Sequence, residues 1–479
     1  MAGVGRRELE RFDLLVVGAG AAGLSVTSVA ARLGLRVALI ERGRMGGDCL
    51  NTGCVPSKAL LAAAHAAMAA REAARFGVKL PEPEIDWAGV RAHVRGAIAA
   101  LEPADSAARY RALGATVIAG EARFVAPDAV VVDGQRLGAR RFVVAAGGRP
   151  AVPPIPGLDQ VAHLTSDTLF DLEDRPDHLL ILGGGPIGLE MAQAHAALGC
   201  RVSLVEAARV GLREDPVLAA GLAARLAGQG VALHEGVGVV EVAPGPTLVL
   251  ADGRRIGGSH LLVAVGRAAN VGGLGLEAAG VRHSPRGIAT DRGLRSLTNR
   301  RVFAAGDIAD PEGIGPRFFT HVGGYHAGIL IRRILFRLPA RVDYAALPRV
   351  IYTDPELAQI GMTEAEARAA GLDPRLADWP LAENDRAVAE GRSEGLVRLV
   401  LDRRGRLVGA GILAPGAGEM LGGLGLAISR RLPLSALAGA IAAYPTRAEA
   451  IKRAAGGVFA PRLFGPRTRR LVALLAHLP

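Results

Sequence analysis

The apolar positions of this chain come in short blocks that end at glycine. Phe12–Val17 reads FDLLVV, a run that matches a strand buried on both faces in a parallel sheet. GAGAAG follows at Gly18–Gly23, then an alanine-rich helical stretch to about Leu33, then RVALIE ending at Glu41. Strand, glycine turn, helix and strand make one βαβ unit. The series recurs far downstream: HLLIL, then Gly183, Gly185 and Gly188, then a helix, then RVSLVE ending at Glu206. Beyond residue 345 the pattern changes to strand-like segments such as LVRLVLD and LVGAGIL. Two copies of one supersecondary unit in a single chain are its main organisational feature.

These patterns predict an α/β fold with two Rossmann-like dinucleotide-binding domains and an α+β C-terminal domain. Residues 1–152 open the first domain and close at the proline-rich AVPPIPG linker. Residues 153–272 form an inserted second domain, 273–345 return to the first, and 346–479 form the third. The 479 residues suit about three domains of ordinary size.

Charge changes this picture little. The net charge is +11, but the arginines are scattered and only 4% of residues are aromatic, so stacking platforms for bases are scarce and nucleic-acid binding is not expected. Apolar runs stay below the roughly 18 residues that a spanning helix needs. Arg6, Arg7 and Arg11 interleave with Glu8 and Glu10 where a signal peptide would carry its apolar core, so a cytoplasmic protein is expected. Residues 465–478 read as a basic amphipathic helix, expected to pack on its own domain, with membrane contact not expected.

The chemistry concentrates in GGDCLNTGCVPSK, Gly46–Lys58. It holds two of the three cysteines, Cys49 and Cys54, and one of only three lysines among 57 Lys and Arg residues. Pro56 suits the first turn of a helix, which puts Cys54 at a helix N-terminus where the dipole favours a thiolate. Lys58, four residues on, shares that helical face. A structural disulfide fits a reducing compartment poorly, and a metal clip needs two more soft ligands, so a redox-active dithiol is favoured. Cys200, before RVSLVE, reads as a small buried hydrophobe.

In each glycine turn the first glycine permits the bend, the second lets backbone approach a pyrophosphate, and the third lets helix and strand pack. The helix N-terminus supplies N–H donors to the phosphates, and an acid about 20 residues on, Glu41 or Glu206, takes a ribose hydroxyl. Glu206 repels a 2′-phosphate and favours NADH, while Arg209 and Arg213 close behind keep NADPH as the alternative.

With these residues in view, the chain resembles the class I pyridine nucleotide–disulfide oxidoreductases over essentially its full length. These are FAD enzymes such as glutathione reductase, dihydrolipoamide dehydrogenase and mercuric reductase. GGDCLNTGCVPSK matches the redox motif, GGGPIGLE the nicotinamide fingerprint and AAGDI the second FAD motif. The resemblance implies electron flow from NAD(P)H through FAD to a Cys49–Cys54 disulfide, and a homodimer built on the C-terminal dimerisation domain. It implies that Cys54 faces the flavin, that Cys49 is the interchange thiol, and that Lys58 lies by the flavin N5 paired with Glu190. FAD contacts are implied for Gly18, Gly20, Gly23, Glu41, Lys58, Ala122, Gly147, Asp307 and His321, the last near the start of a helix aimed at the flavin. Nicotinamide-nucleotide contacts are implied for Gly183, Gly185, Gly188, Glu206 and Gly266.

The chain departs from the disulfide-reducing members of the family at one place. Disulfide-reducing members present His-Pro-Thr-x-x-Glu to the partner's active site; here the segment is Tyr444, Pro445, Thr446 and then Glu449. A phenol ionises near 10 and shuttles protons poorly at neutral pH. Mercuric reductases carry tyrosine here, although their C-terminal cysteine pair has no counterpart in RTRRLVALLAHLP. The expected acceptor is therefore a soft metal ion or another small electrophile. The alternatives are dihydrolipoamide dehydrogenase activity and a flavin redox sensor that does not turn over.

Overall fold

The computed structural model describes residues 10–478. The charge pattern at Arg6, Arg7 and Glu8 lies outside the described residues. The described residues form two compact units, the first of residues 10–63, 82–175 and 260–342, the second of 64–81, 176–259 and 343–478. Among the described residues no helix is long and apolar enough to cross a membrane.

In the first unit, Glu10–Val17 sits centrally in a seven-stranded sheet, parallel to Val37–Glu41 on one side and Gln135–Val144 on the other. Thr116–Ala119 and Val302–Ala304 extend the parallel part. Leu14, Leu15 and Val16 have no exposed surface, which explains why this strand is a continuous apolar run rather than an alternating one. The helix Ala21–Arg32 follows directly, and Thr320–Leu330 packs on it so closely that a Cβ on Gly323 would lie 3.4 Å from the Ala22 nitrogen.

The second unit repeats the pattern. His178–Leu182, Arg201–Glu206 and Val231–Glu235 form a parallel set with the helix Pro186–Ala197 after the first strand. The same unit holds an antiparallel five-stranded sheet, ordered Pro348–Ile351, Glu356–Gly361, Leu407–Ala414, Leu396–Leu401, Arg375–Pro380. Leu421–Ser429 and Glu449–Gly457 contribute to its core beside fully buried Val397, Leu399 and Ile412. The α/β class with paired dinucleotide units and an α+β C-terminal part is therefore the observed fold. Cys200 is buried, as its setting between helix and strand suggests.

One expectation fails. The C-terminal helix Pro466–Leu475 has no buried residue, and Leu471, Val472, Leu474 and Leu475 are all exposed. Its ten residues carry an apolar face but find no matching groove within the unit, so amphipathic spacing alone did not locate its packing.

Candidate functional site

The two glycine turns share the same local geometry. Gly18 has φ +102° and Gly183 φ +113°, backbone that residues with a Cβ rarely adopt. A Cβ on Gly23 would stand 1.9 Å from the Gly18 carbonyl oxygen, and on Gly188 2.0 Å from that of Gly183. The carboxylate of Glu41 accepts from the Ala19 and Gly43 amides at 2.6 and 2.8 Å. That of Glu206 accepts from Gly184 and Ala208 at 2.7 and 2.9 Å. Each acid braces its own glycine turn, a role that the sequence motif does not announce.

Neither Gly20 nor Gly185, which open the two helices, is joined by a side-chain cap, so the first-turn amides remain for an anion. Cβ atoms on Gly147, Gly185 and Gly266 would meet nothing within 4 Å, and Gly147 and Gly266 have φ of +66° and +144°. Ala122 is buried. These open, glycine-lined turns with uncapped helix ends fit two dinucleotides.

Cys49 lies in the short helix Gly47–Asn51, and Cys54 opens the helix Cys54–Glu72. A Cβ on Gly53, between them, would approach the Asp48 carbonyl oxygen to 2.9 Å, so glycine allows the close return of the chain. The Cys49 thiol hydrogen-bonds the Cys54 sulfur; that bond first, then burial and the charge on Cys54, push its ionisation well above the ordinary thiol range. The Cys49 thiol therefore resists ionisation. The Cys54 sulfur also lies 3.2 Å from the hydroxyl of Thr320, first residue of the helix Thr320–Leu330. Lys58 is half-buried on the Cys54 helix. His321 is exposed, its ring stacked on Phe319 at 5.2 Å.

Arg267 ties this region together. Its guanidinium pairs with Asp48, next to Cys49, and with Asp307 at 3.4 Å, and donates to the Gly148 carbonyl at 3.0 Å. Burial pulls its pKa down, but the Asp48 and Asp307 carboxylates outweigh that and raise it. Burial pushes Asp307 up to about 6 against the pull of Arg267. Beside Asp307, the Gly306 amide donates to Nδ1 of fully buried His326 at 3.1 Å, and burial lowers that imidazole to about 4. Thr320, Arg267 and His326 are not marked by any sequence motif used above; only their neighbours in space identify them.

In the second unit Glu190 is buried and accepts from the Tyr352 amide at 3.0 Å. Arg209 donates to the carbonyls of Val210, Gly211, Leu212 and Glu214, and Arg213 is exposed. Tyr444 is 68% exposed and donates its phenol proton to Asp385 at 2.7 Å. That bond first, and the Asp385 charge, raise the phenol above its usual 10. Glu449 pairs with Arg453 at 2.8 Å.

The family model described as pyridine nucleotide-disulphide oxidoreductase matches residues 12–330, and that of its dimerisation domain matches 347–455. The chain is 37% identical over 467 residues to a mercuric reductase of Streptomyces lividans, covering 93% of this chain and 95% of that one. It is 34% identical to a mercuric reductase of Shigella flexneri, with 93% and 80% covered. Among solved structures, LpdA from Mycobacterium tuberculosis superposes with TM-score 0.83 at 27% identity, covering 94% of this chain and all of that one. The Cu(II) complex of the HOCl-induced flavoprotein disulfide reductase RclA from Escherichia coli gives 0.82 at 26%, with 92% and 98% covered.

Proposed function

Because the chain belongs to the pyridine nucleotide-disulphide oxidoreductase family, and so is an FAD- and NAD(P)H-dependent enzyme acting through a redox-active disulfide, we propose that its acceptor is a soft metal ion such as Hg(II). The observation that carries this is the phenol of Tyr444, its proton committed to Asp385, where disulfide-reducing members place an imidazole. The mercuric reductase relatives and the Cu(II) complex of RclA support the same class of acceptor.

FAD supplies a two-electron carrier between the nicotinamide and the sulfurs. The uncapped helix ends after Gly20 and Gly185 would hold the pyrophosphates, and Glu41 and Glu206 would keep lone pairs for ribose hydroxyls. Asp307, His321 and Lys58 would complete the FAD side in the first unit, and Glu190 is a candidate catalytic carboxylate of the second unit. Cys54 would face the flavin. Cys49 is the interchange thiol that meets the acceptor. Two electrons then leave the dithiol for Hg(II), giving Hg(0), two protons and the Cys49–Cys54 disulfide. Glu206 repels a 2′-phosphate and the guanidinium of Arg209 is committed to backbone carbonyls, which favours NADH, while exposed Arg213 keeps NADPH as the alternative.

In this reading residues 153–272 carry the nicotinamide nucleotide, 1–152 with 273–345 carry FAD, and 346–479 pair two copies. The enzyme works in the cytoplasm as a homodimer in which Tyr444 and Glu449 of one copy close the dithiol site of the other. An acceptor panel tests this: Hg(II), Cu(II), lipoamide and a quinone, each with NADH and NADPH. Sustained NADH oxidation is expected with Hg(II) and only weak turnover with lipoamide. Fast lipoamide turnover without metal reduction would favour the dehydrogenase instead, and a single stoichiometric reduction with every acceptor would favour a sensor.

A further inference from the structure

The frame around residue 444 matches the family's, but its hydrogen bonds do not follow the pairing that frame implies. Glu449, three residues after Thr446, is engaged by Arg453, whose Nε donates to it at 3.0 Å. The phenol turns instead to a carboxylate 59 residues away in sequence, donating to Asp385 at 2.7 Å. From this contact we infer that Asp385 is the positioning residue for Tyr444, in place of Glu449. The inference deepens the proposed function and rests on its placing of Tyr444 at the acceptor site.

Two further contacts fix Asp385 relative to the Tyr444 loop. Asp385 opens the short helix Asp385–Ala389, capped by Asn384, whose Oδ1 accepts from the Ala387 amide at 3.0 Å. Asn384 is buried and reaches back with its Nδ2 to the Thr446 carbonyl at 3.0 Å, so one residue holds both the helix and the loop. Arg447, next in the loop, pairs with Glu390 just past the helix. The backbone that carries Asp385 is therefore braced against the Tyr444 loop.

The direction of the bond determines the chemistry. A phenol has one proton and two acceptor lone pairs. With the proton given to Asp385, the oxygen shows only lone pairs outward. Such a group accepts from or coordinates a cation, and it cannot protonate a leaving thiolate. Asp385 thereby converts position 444 from a site of proton transfer to a site that favours a cationic acceptor.

The test uses the holoenzyme with mercuric chloride buffered by excess small thiol. Losing one hydrogen bond of ordinary strength predicts that Asp385→Ala raises KM for the mercuric ion about five- to tenfold, with kcat changed less than about twofold. Asp385→Asn keeps an acceptor oxygen and restores most of the loss. In a Tyr444→Phe background, Asp385→Ala adds nothing further. A KM unchanged by Asp385→Ala, or an equal loss when Tyr444→Phe is already in place, overturns the inference. A second readout needs no acceptor: the ionisation of the Tyr444 phenol, taken as the absorbance difference between the parent and Tyr444→Phe. It moves down towards 10 in Asp385→Ala if the bond exists, and stays in place if it does not. If the parent enzyme fails to reduce mercuric ion, the proposed acceptor falls, and the phenol titration still decides for or against Asp385.

Discussion

Single side chains in this protein carry charge states that their neighbours impose. His326 is the sharpest case, buried without exposure, its Nδ1 accepting from Gly306 and its pKa lowered by burial to about 4. An unfolded histidine titrates near 6.5, so the folded state disfavours the protonated form. The stability this gives is complete above pH 6.5 and is lost as pH falls towards 4, on the order of 3 kcal/mol in all. Urea unfolding of the parent and His326→Asn across that window should show the parent losing more stability than the variant. Equal slopes would mean that the imidazole protonates freely in place. Residues of this kind were the least legible in the sequence. Cys49, Cys54 and Lys58 stood out because each is rare here and three fall within ten positions. Asp385, Arg267 and His326 belong to common types, and their meaning comes from partners 59, 219 and 20 residues away.

Among elements, the glycine turns were legible because their geometry leaves sequence little choice. Positive φ at Gly18 and Gly183, and contacts near 2 Å awaiting any Cβ on Gly23 and Gly188, make each turn intolerant of substitution. Gly188→Ala is therefore expected to leave the protein yellow but to abolish flavin reduction by NADH. Gly23→Ala should instead yield protein without flavin. Absorbance spectra before and after anaerobic NADH separate the two, and retention of both properties in either variant would disprove the assignment. The continuous apolar strands were equally readable, since parallel strands buried on both faces need no polar alternation. The helix Pro466–Leu475 was readable as an amphipathic element but not as a packed one, because spacing defines an apolar face without stating what covers it.

At the scale of the whole molecule, the uncovered surface of the second unit points to a second copy. Ile441 is fully exposed three residues before Tyr444, within the stretch matched by the family's dimerisation domain. Burying one such side chain is worth roughly 1.5–3 kcal/mol, so placing a charge there should weaken a dimer markedly. Ile441→Asp is expected to shift the mass from dimer towards monomer by light scattering. NADH should still reduce its flavin, since the proposed function puts both dinucleotide sites in one chain, while turnover with Hg(II) should fall, since the same proposal sets Tyr444 against the partner's sulfurs. An unchanged dimer with unchanged turnover would exclude this face from the interface.

The sulfur pair that links NADH to the acceptor can be examined directly. Oxidised holoenzyme is treated anaerobically with excess NADH, alkylated with iodoacetamide under denaturing conditions, and mapped by peptide mass. Cys200 should be labelled with or without NADH, and Cys49 and Cys54 only after NADH. Labelling of Cys49 and Cys54 that is identical with and without NADH would contradict an electron path through these two sulfurs.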